Sequence, residues 1–355
     1  MRSTANPIDM IQYIPKPAFI VKNGTVTDAN EAAINLQINR GTPIVELITQ
    51  GLAEYDALTT GKLYLQLKIG AAWVSVHDDV HLFCLEDSYS SPELRAFALA
   101  AQHLRMPLSN ALSGMELLTQ NETVQECTEI KQRLGQINRS LYQMIRAVCN
   151  MSDVSQLGAI HSVHLQIQNV ASVFAEFFEK ADTITKDSQR TLEFHNLKKN
   201  ISCAIDAQLL ERMFLNLISN AIKFSPDDSI IKVTLKQKES RLMLTVENAI
   251  RNHCNGTYGD AFARFLREPG LDSSQTGIGL GMSIISRAVA VHQGTVLLNM
   301  VQKKRIKVTV SLPINTICNT DVQSPMIYPE SYTGGIDSFL IELSDVLPSH
   351  YYEET

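Results

Sequence analysis

Apolar residues change their period several times along this chain, and each change marks a new kind of element. In "AFIVKNGTVTDAN" (18–30) they alternate on either side of Asn23-Gly24, a dipeptide that accepts the positive φ angles of a tight turn, which predicts a β-hairpin. Asp28 and Glu31 have the three-residue spacing of a capping box and predict a helix beginning at "NEAAINLQ". Three more alternating runs, "KLYLQLK", "AWVSVHD" and "VHLFCLE", predict strands.

The period then switches to alternating steps of four and three. Phe97, Ala101, Leu104, Leu108, Ala111, Met115 and Leu118 form one such ladder, and Ile130, Leu134, Ile137, Leu141, Met144, Val148 and Met151 form a second after the polar break "TQNET". Two seams of this kind predict an antiparallel helical hairpin. One hairpin cannot cover both, so a four-helix bundle made by two copies is expected. At about 1.5–3 kcal/mol per buried large side chain, a homodimer is energetically reasonable; a purely mechanical dimerisation hairpin is the plainer reading of the same seams. From His164 to Pro313 helices and strands mix, with "SIIKVTLKQ" and "RLMLTVEN" as strands. Within the remaining tail, Ile336, Phe339, Leu340, Leu343, Val346 and Leu347 follow helical spacing after Gly334-Gly335 and predict a short amphipathic helix that docks on its own protein or on a partner.

Composition narrows the class. At 355 residues, 45% hydrophobic and 19% charged with a net charge of -6, the chain reads as a soluble protein of two or three domains and not as a basic nucleic-acid binder. No apolar run is long enough for a membrane span and "MRSTANPIDM" has no signal core, so a cytoplasmic location is expected. Six scattered cysteines without metal spacing are expected to be free thiols. After Lys307 there is no Lys or Arg while seven acidic residues from Asp321 to Glu354 follow, so the tail should repel anions.

Candidate chemistry is concentrated in "MFLNLISNAIKFSP". Asn216 and Asn220, four apart, share a helix face, and Lys223 lies on the adjoining turn. Two amide oxygens suit hydrated Mg²⁺ and a lysine suits phosphate, whereas a purely structural core helix has no use for amides there. Farther on, "TGIGLGMSII" sets Gly277, Gly279 and Gly281 before a helix, where backbone amides and the helix N-terminus favour an anion.

These runs resemble the N box and the G2 box of the histidine-kinase ATPase domain, a Bergerat-type fold shared with gyrase B and MutL. "FARFLRE" resembles its F box through Phe262 and Phe265, and "IPKPAFIVKNGTVTDANEAA" resembles the opening of a PAS sensory domain. The resemblance implies an α+β multidomain chain: a PAS-like sensor (6–88), a helical-hairpin dimerisation domain (92–155), an α/β-sandwich ATPase domain (160–315) and an acidic tail (316–355). It implies ATP and Mg²⁺ as cofactors, with the metal held by Asn220 and assisted by Asn216, and a homodimer that signals to a response regulator receiver domain. In the PAS-like part no flavin-attaching cysteine motif is found, and His77 and His81 read as surface histidines before haem ligands.

Two boxes depart from the pattern. Where the G1 box has aspartate, "VENAIRN" has Asn248, a neutral acceptor for adenine, and Ile250 replaces a glycine. The H box reads H-E-L-R-T-P-L; aligned on "LRMPL", Gln102 takes the histidine position and His103 the acidic one. One residue on a helix is about 100° of rotation, and the carboxylate that would accept the imidazole proton is missing. These departures favour a degenerate kinase, a dimeric sensor and scaffold, in which Gln102 could position water for a phosphatase variant. The alternatives are an active kinase using His103 and an ATPase of the same fold with another role.

Overall fold

The computed structural model describes residues 11–77, 79–86, 92–121, 124, 126–155, 164–198, 200–250, 281–302, 304–316 and 336–353. Its first elements are β1 (Ala18–Lys22), β2 (Thr25–Ala29), α1 (Glu31–Asn35), α2 (Ile44–Leu47), β3 (Ile48–Gln50), α3 (Leu52–Asp56), β4 (Gly61–Leu67), β5 (Gly70–His77) and β6 (Val80–Leu85). The long helices α4 (Pro92–Thr119) and α5 (Thr128–Ser155) follow. Then come β7 (Gln166–Asn169), α6 (Val170–Thr185), β8 (Arg190–Asn196), β9 (Ser202–Ile205), α7 (Ala207–Phe224), β10 (Ser229–Lys238) and β11 (Arg241–Ala249). The last are α8 (Gly281–Val291), β12 (Thr295–Val301), β13 (Arg305–Pro313) and α9 (Ser338–Glu342), followed by a 3-10 turn at Ser349–Tyr352. The chain divides into two compact units. One joins residues 1–88 to 236–245 and 289–313, and the other comprises 89–235, 246–288 and 314–355.

In the first unit the Asn23-Gly24 turn forms as expected. Both residues have positive φ, +51° and +75°, and β1 pairs antiparallel with β2 across them. The helix after the hairpin is shorter than the pattern suggests, and its cap is Asn30 instead of Asp28. The Asn30 Oδ1 accepts from Ala33 N at 2.9 Å and from Ala18 N at 3.0 Å, while its Nδ2 donates to Lys16 O at 2.7 Å. One side chain thus satisfies orphan groups at a helix start and at a strand entry. Asp28 turns to Arg40.

The sheet runs β2-β1-β6-β5-β4 and continues through β12 and β13 to the start of β11. Strand β12 pairs antiparallel with β4, Val296 opposite Tyr64 and Leu298 opposite Lys62. One face buries Phe19, Val21, Leu63, Val74 and Phe83, with Phe19 and Phe83 stacked at 4.7 Å. Arg241 fixes the same join by pairing with Glu54 at 2.9 Å and donating to Ser311 Oγ at 2.6 Å. Gly61 has φ +112°, and an added Cβ would lie 2.6 Å from Leu298 O and closer still to the Asn299 side-chain amide. Gly61→Ala should therefore cost about 1–3 kcal/mol, from a backbone conformation that L residues avoid together with a clash against backbone. A lowered denaturant midpoint at unchanged slope would register it.

In the second unit α4 packs against α5. Their seam is only partly covered within one chain. Ala101, Leu141 and Val148 are buried, while Leu104, Leu118, Ile130, Ile137 and Met144 are exposed. A second stripe on α5, Asn138, Tyr142, Ile145, Arg146 and Cys149, is also buried. It recurs at three- and four-residue steps like the first seam, and α9 and the final 3-10 turn pack on α5. Helix α7 is capped by the Asp206 carboxylate, which accepts from Leu209 N at 3.1 Å. It buries Leu210, Phe214 and Ile218, with Phe214 against Phe174 and Phe177 of α6. In the same unit β8 runs parallel to the first part of β10, and β7 pairs antiparallel with β9.

Candidate functional site

Helix α7 carries the three residues singled out in its sequence, and their environments differ. Asn216 is buried, and its amide is committed inside the protein. Its Nδ2 donates to Arg212 O at 2.9 Å and to Glu342 Oε2 at 3.1 Å, and its Oδ1 accepts from Arg146 Nη2 at 3.3 Å. Asn220, one turn on, is partly exposed and has no hydrogen bond among the described residues. Lys223, in the last turn, is partly exposed and lies 3.7 Å from Asp345 Oδ2. Gly281 opens α8 over this face. A Cβ there would stand 3.0 Å from Asn216 Oδ1 and 3.8 Å from Asn220 Nδ2, so glycine is what leaves room above the two amides.

Three charged residues that the periodicity did not single out organise the site. The Glu342 carboxylate is fully buried between two guanidinium groups, Arg212 Nε at 3.1 Å and Arg146 Nε at 3.2 Å. Arg146 also reaches Asp345 Oδ2 at 2.9 Å and Ser219 Oγ at 3.4 Å, and Arg212 reaches Asn150 Oδ1 at 3.2 Å. Each of these three buried charges thus has an opposite charge and further hydrogen bonds, which is the condition for burying it at all. The signal that could have found them is Arg212, one turn before Asn216 in the largely apolar run "LLERMFLNLI", together with the second stripe on α5.

The tail docks on its own chain, as its apolar spacing suggested. Its helix is only one turn long, and the remainder is held through its backbone. Arg139 Nε and Gln143 Nε2 donate to Ser344 O at 3.1 and 3.2 Å, and Asn138 Nδ2 donates to Tyr352 O at 3.0 Å. The Tyr352 hydroxyl donates to Leu340 O at 2.8 Å, and its ring packs on Tyr142. Burial pushes that phenol well above its usual value. Phe339, Ile341, Leu343 and Leu347 are all buried.

Glu211 of α7 accepts a hydrogen bond from Ser338 Oγ. Burial raises its carboxyl above the ordinary range, Asp337 and Glu342 push the same way, and the Ser338 hydroxyl and Lys180 oppose them. A raised folded-state pKa contributes stability that is complete below the unfolded value and is lost as pH rises through the folded one. Unfolding between about pH 4 and about pH 8 should show that decline, and Glu211→Gln should flatten it.

Other candidates fall elsewhere. His103 is exposed on α4, four residues before Pro107, whose ring removes the helical donor for the His103 carbonyl. Asn248 is buried, with Nδ2 donating to Ala249 O at 2.8 Å and to Ser225 Oγ at 3.2 Å. His81 is tied to the Tyr55 hydroxyl through Nδ1 at 2.6 Å; burial lowers the imidazole and raises the phenol to about 12. Phe262, Phe265, Gly277 and Gly279 lie outside the described residues, as do the side chains of Gln102 and His77. Among the described residues, Cys84, Cys127, Cys149 and Cys203 form no disulfide with one another. Among the described residues no helix is long and apolar enough to cross a membrane.

Residues 205–316, which contain α7 and Gly281, match the family of histidine kinase-, DNA gyrase B-, and HSP90-like ATPases. The chain is 26% identical to the sensor histidine kinase TmoS of Ectopseudomonas mendocina over 62% of its length and 23% of that protein's. It is 27% identical to the sensor protein BasS of Salmonella typhimurium over 55% of its length and 52% of that protein's. The chain thus spans about half or less of these curated relatives. Among solved structures, full-length ShkA in complex with AMPPNP has a similar fold, with a TM-score of 0.51 at 19% identity over 63% of this chain and 46% of that one. The family match is thus confined to residues 205–316, and the relatives that extend beyond it are sensor histidine kinases.

Proposed function

We propose that this protein is a sensor of the two-component type that binds ATP and Mg²⁺ on α7 and has a degenerate phosphoacceptor helix. The observation that carries this reading is the pairing of Asn220 and Lys223 on one helix end beneath Gly281, inside the segment that matches the ATPase family. These residues fit the nucleotide with its metal. The Asn220 amide offers a free oxygen ligand and Lys223 a cation for phosphate, while Asn216 holds the helix to Arg146 and Glu342. Bound Mg²⁺ would supply charge neutralisation at the phosphates. Asn248 would accept from the adenine amino group through Oδ1, a neutral contact worth about 0.5–1.5 kcal/mol against about 1.5–3 for a carboxylate.

In this reading the sheet of residues 18–85 is the PAS-like sensory element. The exposed residues of the α4–α5 seam meet those of a second copy in a cytoplasmic homodimer, and the output passes to a response regulator receiver domain. Degeneracy rests on Gln102 at the phosphoacceptor position and on the missing carboxylate after His103. The exposure of His103 favours the second reading, an active kinase with a shifted acceptor. Incubation of the protein with γ-labelled ATP and Mg²⁺, beside His103→Gln, separates them. The expected result is nucleotide binding without acid-labile label; label that vanishes in the variant would establish the kinase. Steady hydrolysis independent of His103 would mark an ATPase with another role.

A further inference from the structure

We infer that the tail segment 336–353 is an autoinhibitory strap whose carboxylates occupy the nucleotide face of α7 and whose backbone is clipped to α5. The inference rests on the nucleotide reading of α7 given above. Asp345 lies at Lys223, the cation a phosphate would use, and Glu342 holds the Asn216 amide. A carboxylate 3.7 Å from that lysine competes with a phosphate oxygen for the same cation, and a second anion beside Asp345 would meet like charge.

The strap also has the construction of a removable part. Of its ties to α5, those from Arg139, Gln143 and Asn138 go to backbone carbonyls, so they fix the path of the chain across the helix whatever side chains it carries there. At the far end the path runs tightly over Gly135, where an added Cβ would stand 2.8 Å from Ser349 O and 2.6 Å from Glu353 Cγ. Glycine in the middle of a helix is locally unfavourable, and here its lack of a side chain admits the strap. The same segment holds α6 through Lys180 and Asp337 at 3.1 Å, so release would free three helices from one clamp.

Two binding events that compete for one cation are coupled reciprocally: if strap release tightens nucleotide binding, nucleotide must loosen the strap by the same factor. The test uses the full chain, a trinitrophenyl-labelled ATP with Mg²⁺, and two variants acting at opposite ends of the strap. Gly135→Leu displaces Ser349 from α5 without touching the site, and Asp345→Asn removes the charge at Lys223. We expect each to lower the Kd by about fivefold or more, the lower end of typical couplings, and MgATP to speed hydrogen exchange of 338–352 in the unaltered protein. Equal affinity in all three proteins, or weaker binding in the variants, would overturn the strap and leave the segment a structural prop. Binding in none of them would overturn the nucleotide reading itself and, with it, any inhibition.

Discussion

Glu342→Ala should destabilise the protein by about 3–5 kcal/mol, the cost of removing one partner from a buried ion pair. The side chain is fully buried, and both of its oxygens are engaged, by Arg212 at one and by Arg146 and Asn216 at the other. Truncation leaves Arg212 without that carboxylate and shifts the burden of Arg146 to Asp345, itself partly exposed. The favourable half of the pair is lost while the desolvation of both guanidinium groups stays. Glu342→Gln keeps the shape and one acceptor oxygen but turns an NH2 toward donors and removes the charge, so it should recover only part of that loss. The midpoint of chemical denaturation, read with the slope to check for a changed unfolded state, distinguishes the two. A double-mutant cycle with Arg212→Met should return a coupling energy well above that of an exposed pair, which is about 1 kcal/mol or less. A cycle near zero would show that water reaches the carboxylate.

What could be read from the sequence followed the range of each interaction. The Asn23-Gly24 hairpin and the two helical ladders were legible because turn dihedrals and helix faces depend on residues a few positions apart. Even there, a contact outside the local window reassigned a cap. Asp28 had the better spacing, but Asn30 also had to satisfy Ala18 and Lys16 across the hairpin, and a carboxylate cannot donate to a carbonyl. The partners of Glu342 were illegible for the same reason on a larger scale, although Arg212 itself stands out in its apolar run. Those partners lie 130 and 196 positions away, and nothing within one helical turn of Glu342 signals a buried charge. Asn216 and Asn220 are the instructive pair: identical residues four apart predicted one shared role. Their neighbours from α5 and the tail gave one of them a structural task and left the other open.

That division predicts opposite signatures for two matched substitutions. Asn220→Ala should weaken MgATP binding about 10- to 100-fold, since an amide contact to a charged group is worth about 1.5–3 kcal/mol. It should leave folding stability within about 0.5 kcal/mol, because the side chain is partly exposed and makes no hydrogen bond among the described residues. Asn216→Ala should do the reverse in kind. It removes one of the acceptors of Arg146 and a donor to Glu342 in a buried network, so stability should fall by about 1–3 kcal/mol. Because the lost donor is one of the strap's own ties, nucleotide affinity should hold or improve. Isothermal titration with MgATP and urea denaturation on the same two proteins give four numbers. The assignment stands only if affinity follows residue 220 and stability follows residue 216. Strong loss of affinity in both would return Asn216 to the metal and require the Glu342 contact to open before nucleotide enters.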